Sequence, residues 1–348
     1  MVQCPIFKLT HVFLFVDWIA YNQSKEMKYI KKKTAFLALL VFSIGWALGF
    51  SYNSHKSSSD ISFIRENSSE YKFINPLLII DNSNIDFEEY DELQSKIQAK
   101  IEDLKKDGLV DEASVYFRDL NTAKWTGVNE DALYEPSSMM KVVTLLAYLH
   151  IAQNDPEILT EKLRFEYVSD PGQQYKPSKN LSTGMYTARE LLVHMIVDSD
   201  NRSMKILNAH RPDKVMEVFK ELDLPMGFSI GHGFMSAVDY SRVFRTLYSS
   251  TYLSRSYSEE ALKLLSNTNF NLGLIAGMDG EIKVAHKFGE HTFLNNNGVV
   301  LRRELHDCGI VYKPSSPYFL CVMTKGEEFK NLEKVIAEIS NLVYKELM

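Results

Sequence analysis

Apolar residues recur along this chain in distinct rhythms, and each rhythm predicts an element. In "YDELQSKIQAKIEDLKKDG" they fall at Leu93, Ile97, Ile101 and Leu104. Steps of four, four and three residues make the stripe of an amphipathic helix, which Gly108 would end. "EASVYFRDL" and "AKWTGV" are short and rich in β-branched and aromatic residues, so they read as two strands joined at a turn around Asn121. From residue 137 to about 153 the texture changes. Val142, Val143, Leu145, Leu146, Leu149 and Ile151 cover most of a helix's circumference, which predicts a helix buried on nearly all sides. Pro136 and Ser137 supply its start signals.

A helical middle comes next, through "ARELLVHMIV", "RPDKVMEVFKELD" and "MSAVDYSRVFRTLYSS". The chain then returns to strands in "KVAHKF", "DCGIVYK" and "YFLCVMTK", the last two joined by a proline-bounded turn at 314–317. It closes on the amphipathic "EEFKNLEKVIAEISNLVYKEL". Helix and strands at both ends, with helices between, predict one α+β domain over 87–348. Its antiparallel sheet is completed by the two chain ends and flanked by the terminal helices, and a helical lobe is inserted between them. There are no internal repeats.

The segment ahead of that domain has another organisation. Residues 34–50 form an uncharged run of 17, at the short end of a membrane-spanning helix. Lys28, Lys31, Lys32 and Lys33 precede it, so the positive-inside rule keeps 1–33 cytoplasmic and exports the chain beyond residue 50. A cleaved signal peptide is the alternative, but no convincing small-x-small cleavage site comes after Phe50, and an anchor is the expectation. Met27 lies where a start for such an anchor would fall, so 1–26 are either a cytoplasmic extension or precede the true start. Residues 51–86 read as an extracytoplasmic tether, with "FINPLLIID" as an apolar island able to dock on the domain.

Composition narrows the chemistry. The 348 residues are 45% hydrophobic and carry a net charge of −6, with no basic block outside the N-terminus, so nucleic acid is not an expected partner. Cys4, Cys308 and Cys321 match no zinc spacing and allow at most one pair. Cys308 and Cys321 fall on two strands of one hairpin and read as buried free thiols. His286 and His291 are five apart, an odd spacing that puts them on opposite faces of a strand, and no H-E-x-x-H occurs. Neither a metal nor a cofactor is expected.

Three short motifs remain. Ser138-Met139-Met140-Lys141 is an S-x-x-K at the start of the buried helix, which places serine and lysine side by side on one face. A lysine half buried there loses solvation, which lowers its pKa and lets it serve as a base. Ser199-Asp200-Asn201 falls in a turn between helices, and Lys287-Phe288-Gly289 on a strand. Alone, each has an ordinary structural reading: a cap with a snorkelling lysine, a polar turn, a strand lysine facing water. Their order is the signature S-x-x-K, S-D-N, K-[T/S]-G of class A β-lactamases and penicillin-binding proteins. Sixty-one residues separate Ser138 from Ser199, and 88 separate Ser199 from Lys287. From about Phe87 to Met348 the chain resembles the class A β-lactamase-related serine hydrolases, including the closing "HDCGIVY" and "YFLCVMT" strands.

The resemblance implies acyl transfer on a DD-peptidase/β-lactamase-like fold. Ser138 would be the nucleophile and Lys141 its general base, while Ser199 would relay the proton to the leaving nitrogen. Asn201 would hold the substrate amide, and Lys287 would supply positive charge for a substrate carboxylate, next to Gly289. Backbone N–H groups of Ser138 and Glu290 would form the oxyanion hole. The expected partner is a β-lactam or a peptidoglycan-like amide. Two departures stand out. No E-x-x-L-N loop comes after S-D-N: between Asn201 and Gly231 the only glutamates are Glu217 and Glu221, which lie in an ordinary amphipathic stretch. Phe288 also replaces the hydroxyl that helps grip the substrate carboxylate. Acylation is therefore expected to be intact and deacylation slow. A DD-peptidase-like enzyme, another serine amidase or esterase, and a non-catalytic envelope-binding module are the alternatives.

Overall fold

The computed structural model describes residues 63–65, 70–80, 90–167, 173–225, 233–278 and 280–347. The expected anchor at 34–50 and the segment before it, expected to be cytoplasmic, lie outside these residues. Among the described residues no helix is long and apolar enough to cross a membrane.

The chain first forms a small antiparallel pair, β1 (Phe63–Arg65) and β2 (Leu77–Ile80). Between them the backbone is held to the main body. The N–H groups of Lys72, Phe73 and Ile74 donate to the Glu259 carboxylate at 2.8, 2.8 and 3.1 Å. Helix α1 (Asp91–Lys106) buries Leu93, Ile97, Ile101 and Leu104, the stripe read from the sequence. Its first turn carries Asp91 and Glu92 and its last turn Lys105 and Lys106, matching the helix dipole at both ends.

Strands β3 (Glu112–Asp119) and β4 (Trp125–Val128) pair antiparallel across the predicted turn. A 3-10 turn at Ser137–Met140 then runs into α2 (Lys141–Ala152). The helical middle holds a short pair that the hydrophobic rhythm did not predict, β5 (Lys162–Phe165) with β6 (Gly184–Thr187). It continues as α3 (Ala188–Val197), α4 (Asn201–His210), α5 (Pro212–Glu221), α6 (Ala237–Tyr248) and α7 (Arg255–Leu265). Strands β7 (Val284–Leu294) and β8 (Val300–Val311) reach well past the predicted segments, and β9 (Tyr318–Gly326) and α8 (Phe329–Glu346) complete the fold.

The main sheet has the order β4-β3-β9-β8-β7, and every neighbouring pair is antiparallel. Strand β3, the first of this sheet in the chain, therefore lies beside the last strand, β9, at its centre, as the pattern of chain ends implied. Alternation along each strand divides the core in two. Val115, Phe117, Leu320 and Val322 pack with α1 and α8. Tyr116, Phe319, Cys321 and Met323 pack with the helical lobe around α2.

One expectation is corrected. Cys308 and Cys321 form a disulfide rather than two free thiols. The hairpin register brings them directly opposite one another, with Cα atoms 4.0 Å apart. Two buried thiols held face to face by a fixed register are placed to pair, so the disulfide results from the ladder.

Candidate active site

The Ser137–Met140 turn enters α2 with its side chains directed into the core. Ser137 has φ 51°, a left-handed conformation that a non-glycine residue adopts only where surroundings enforce it. Directly after it, Ser138 is 8% exposed and Lys141 is wholly buried. Lys141 has no polar surface to escape to, because Val142 to Leu149 around it are buried as well. Its Nζ lies 2.7 Å from Ser138 Oγ, 2.7 Å from the Ser199 carbonyl oxygen, 3.0 Å from Ser199 Oγ and 2.7 Å from Asn201 Oδ1. The S-x-x-K and S-D-N motifs, far apart in sequence, thus meet on one nitrogen.

The turn between α3 and α4 is what delivers Ser199 and Asn201. Asp200 caps α4, accepting from the Arg202 and Ser203 N–H groups at 2.9 and 3.3 Å. Ser199 sits at φ 53°, the second strained serine of the site. Such strain persists only where neighbours over-determine it, and here Lys141 and Gln173 both donate to its carbonyl.

From the other side, β7 brings Lys287, whose Nζ donates to Ser199 Oγ at 2.9 Å and to the Phe288 carbonyl at 3.1 Å. Ser199 Oγ therefore bridges the two lysines. Burial is the main reason that the Lys287 ammonium is pushed well below its ordinary pKa, and the nearby Lys141 pushes it further. Asp307 and Glu290 pull the other way. Gly289 shows why the strand can come this close. A Cβ there would collide with the Pro136 carbonyl and press on Met139, so only glycine lets β7 lie against the turn that carries Ser138.

Glu290 is expected from the sequence to act through its backbone N–H, but its side chain also has a task. The carboxylate accepts the N–H groups of Gln174 and Tyr175, at 3.0 Å each to one oxygen, and so fastens the 173–175 loop beside the site. Burial pushes the Glu290 carboxyl up, while those two N–H groups and the two lysines hold it down. Sequence reading missed Gln173 and Tyr175 altogether. Nothing in a Gln-Gln-Tyr string marks it as a site wall.

Where the family pattern has a hydroxyl, Phe288 joins an aromatic layer. Its ring stacks on Phe270 at 4.1 Å between centroids, and Tyr175 meets both edge-on. The Lys287 ammonium lies 4.0 Å from the Phe288 ring centroid, a cation–π contact that partly replaces lost hydration. Glu217 and Glu221 are engaged elsewhere. Glu217 pairs with Lys214 at 2.6 Å, and Glu221 accepts the Tyr252 hydroxyl at 2.6 Å. His286 is bound to Asp307 and Thr268 at 2.8 and 2.7 Å, and the described residues include no cluster that could hold a metal ion.

Known structures share this architecture. A PBP-A variant solved as an acyl-enzyme complex with penicillin G aligns with a TM-score of 0.61 at 20% identity, over 76% of this chain and 99% of that one. The TLA-3 extended-spectrum β-lactamase aligns at 0.63 and 20% identity, over 74% and 98%. A β-lactamase from Chitinophaga pinensis aligns at 0.60 and 17% identity, over 73% and 100%. At these identities the likeness establishes the fold. No curated protein sequence matches the chain. The model of the Beta-lactamase enzyme family matches residues 92–347, nearly all of the domain that holds the serine–lysine centre. The chain belongs to the Beta-lactamase enzyme family.

Proposed function

We propose that this protein is a membrane-anchored, exported serine hydrolase. In this reading it forms an acyl-enzyme on Ser138 with β-lactams or peptidoglycan-like amides and releases the acyl group slowly. The observation that carries the reading is the 2.7 Å contact between Lys141 Nζ and Ser138 Oγ inside a buried pocket. With Lys141 neutral, the Ser138 hydroxyl donates its proton to the Nζ lone pair as Oγ attacks the amide carbonyl carbon. The tetrahedral oxyanion is received by the N–H groups of Ser138 and Glu290. The C–N bond then breaks, and Ser199 Oγ passes a proton from the lysine pair to the leaving nitrogen. Asn201 and Lys287 hold the substrate's amide and carboxylate. Two lysines sharing one hydroxyl cannot both be charged cheaply, which supports a neutral amine at this centre.

Slow release is supported by where the glutamates are. With Glu217 and Glu221 committed to Lys214 and Tyr252, Lys141 would have to serve both half-reactions. A nitrogen-linked chromogenic cephalosporin should give a burst of one equivalent and then slow turnover, with the adduct visible by intact-protein mass spectrometry. Rapid steady-state turnover with no burst and no adduct would mean a deacylating base is present. The same observation favours a penicillin-binding or DD-peptidase-like enzyme over an efficient β-lactamase. Phe288 favours substrates whose carboxylate is gripped less tightly.

Export is supported by the Cys308–Cys321 disulfide, since such bonds persist in oxidising compartments. Combined with the lysines before residue 34, it favours a catalytic domain outside the cytoplasmic membrane in this reading. A phosphatase reporter that needs oxidation, fused after Met348, should be active. A cytoplasm-only reporter working at that position would sink the topology.

A further inference from the structure

A cavity of about 320 Å³ opens beside the reaction centre on its Asn201 side. Four cations line it: Lys176 and Lys179 from the loop before β6, and Arg202 and Lys205 from the first turns of α4. Among the described residues none of the four has an ion-pair partner, and the buried Nε of Arg202 has no hydrogen-bond acceptor. The one acid in the lining, Asp200, is already committed to the Arg202 and Ser203 N–H groups and to the Ser203 hydroxyl at 2.6 Å.

The cations do not sit on loose chain. Their loop is fastened on both sides of Lys176. Gln173 donates to the Ser199 carbonyl at 3.1 Å, and the Tyr175 N–H donates to Glu290 at 3.0 Å. Next to Lys179, Ser178 Oγ donates to Asp198 at 2.5 Å. Arg202 and Lys205, three apart on a helix, share one face. Like charges gathered in one concavity raise its potential, and its low-dielectric walls focus that field. An anion entering there would meet positive charge on two sides.

We propose that this cavity is a subsite for an anionic group, specifically a carboxylate carried on the acyl portion of the substrate a few atoms beyond the scissile amide. The inference rests on the acyl-enzyme reading above for its placement, because Asn201 and Gln173 belong both to the cavity and to the surroundings of Ser199. Acyl donors with an acidic side chain are then preferred over isosteric neutral ones.

The test uses two penicillins made from 6-aminopenicillanate, one with a glutaryl side chain and one with the same chain as its methyl ester. Acylation of Ser138 is monitored by mass spectrometry at low salt. The acid should react about fivefold to tenfold faster than the ester, the order expected for two partly solvated charge contacts. In the Arg202→Gln/Lys205→Gln double variant, and in Lys176→Gln/Lys179→Gln, whose sites are on the surface, that ratio should fall to within about twofold. A wild-type ratio near one, or a ratio unaffected by both variants, overturns the proposal. Millimolar inorganic phosphate should slow the acid selectively. Equal slowing of acid and ester would assign the cavity to a free anion instead, and also overturns it. If neither penicillin acylates, the acyl-enzyme reading has failed. The subsite is then read by fluorescence anisotropy of a fluorescein-labelled triglutamate, whose binding must weaken about fivefold or more in the Arg202→Gln/Lys205→Gln variant. Unchanged or absent binding there refutes it.

Discussion

Strand β7 carries two buried polar networks one residue apart, and they are balanced in opposite ways. His286 lies between Thr268 and Asp307, at 2.7 and 2.8 Å, and the other Asp307 oxygen accepts the Leu274 N–H at 2.9 Å. Each polar atom of the imidazole and of the carboxylate meets a partner. Next to it, Lys287 shares the Ser199 hydroxyl with a second buried lysine, and its ammonium is destabilised by burial and by that neighbour. The first network is closed and fastens the β7–β8 pair to the segment before β7. The second sets two buried lysines on one hydroxyl, where both cannot be charged cheaply, the kind of shifted ionisation that marks a candidate chemical site. The contrast separates a structural buried charge from a chemical one without reference to motif.

The largest effect should come from removing either partner of the chemical network. Ser138→Ala should abolish labelling by a fluorescent penicillin or fluorophosphonate. Lys141→Ala should slow labelling by about 10²–10⁴, the usual worth of a general base. Labelling that survives in Ser138→Ala would place the nucleophile elsewhere, and the distinction between the two networks would lose its basis.

Stability should then move in opposite directions. Asp307→Ala leaves a buried imidazole and the Leu274 N–H without an acceptor, and should cost about 3–5 kcal/mol in denaturant unfolding. Asp307→Asn keeps an acceptor and should cost less. Lys287→Met removes a destabilised cation and should leave stability unchanged or raise it by about 1–2 kcal/mol, while acylation falls. The pH dependence has the same sign. The folded protein binds the Lys287 proton less tightly than the unfolded chain does. Between that lowered pKa and the ordinary value of 10.5, stability therefore rises with pH, and Lys287→Met should flatten this rise. Equal losses for Asp307→Ala and Lys287→Met would show that both networks are structural.

Much of this is legible in the sequence because the motifs fall on predictable elements. A serine and lysine three apart at the head of an apolar helix, a polar turn and a strand lysine each have a place that pattern alone assigns. The rest depends on side chains meeting across long separations. Glu290 fastening Gln174 and Tyr175, and Phe288 stacking on Phe270, leave no periodic trace. The disulfide could have been read. If Val311 pairs with Tyr318 across the proline-bounded turn, three steps back along β8 set Cys308 against Cys321. The turn implies the register, and the free-thiol reading ignores it.

The smallest expected effect lies at the base of the turn that carries Ser138. Glu135 is half buried three residues before Ser138, its N–H donates to Glu304 at 2.9 Å, and burial pushes its carboxyl up to about 7. The Ser137 N–H, at 3.4 Å, opposes that shift, and the Glu304 charge adds a smaller push in its direction. His306 contacts the Glu135 carbonyl rather than its carboxylate, and among the described residues no ion pair offsets the acid. The native state thus holds this proton more tightly than the unfolded chain does between the ordinary 4.5 and about 7. The stability it contributes is full below that window and is lost as pH rises through about 7. Glu135→Gln removes the ionisation and keeps the shape. It should leave Tm nearly unchanged at pH 5 and raise it by roughly 2 °C at pH 8, a figure kept small because the group is partly solvated. A Tm change of the same size at both pH values would mean that the lost contact to Ser137, not the buried charge, governs this corner. The turn would then resemble the closed network of His286 more than the charged one it supports.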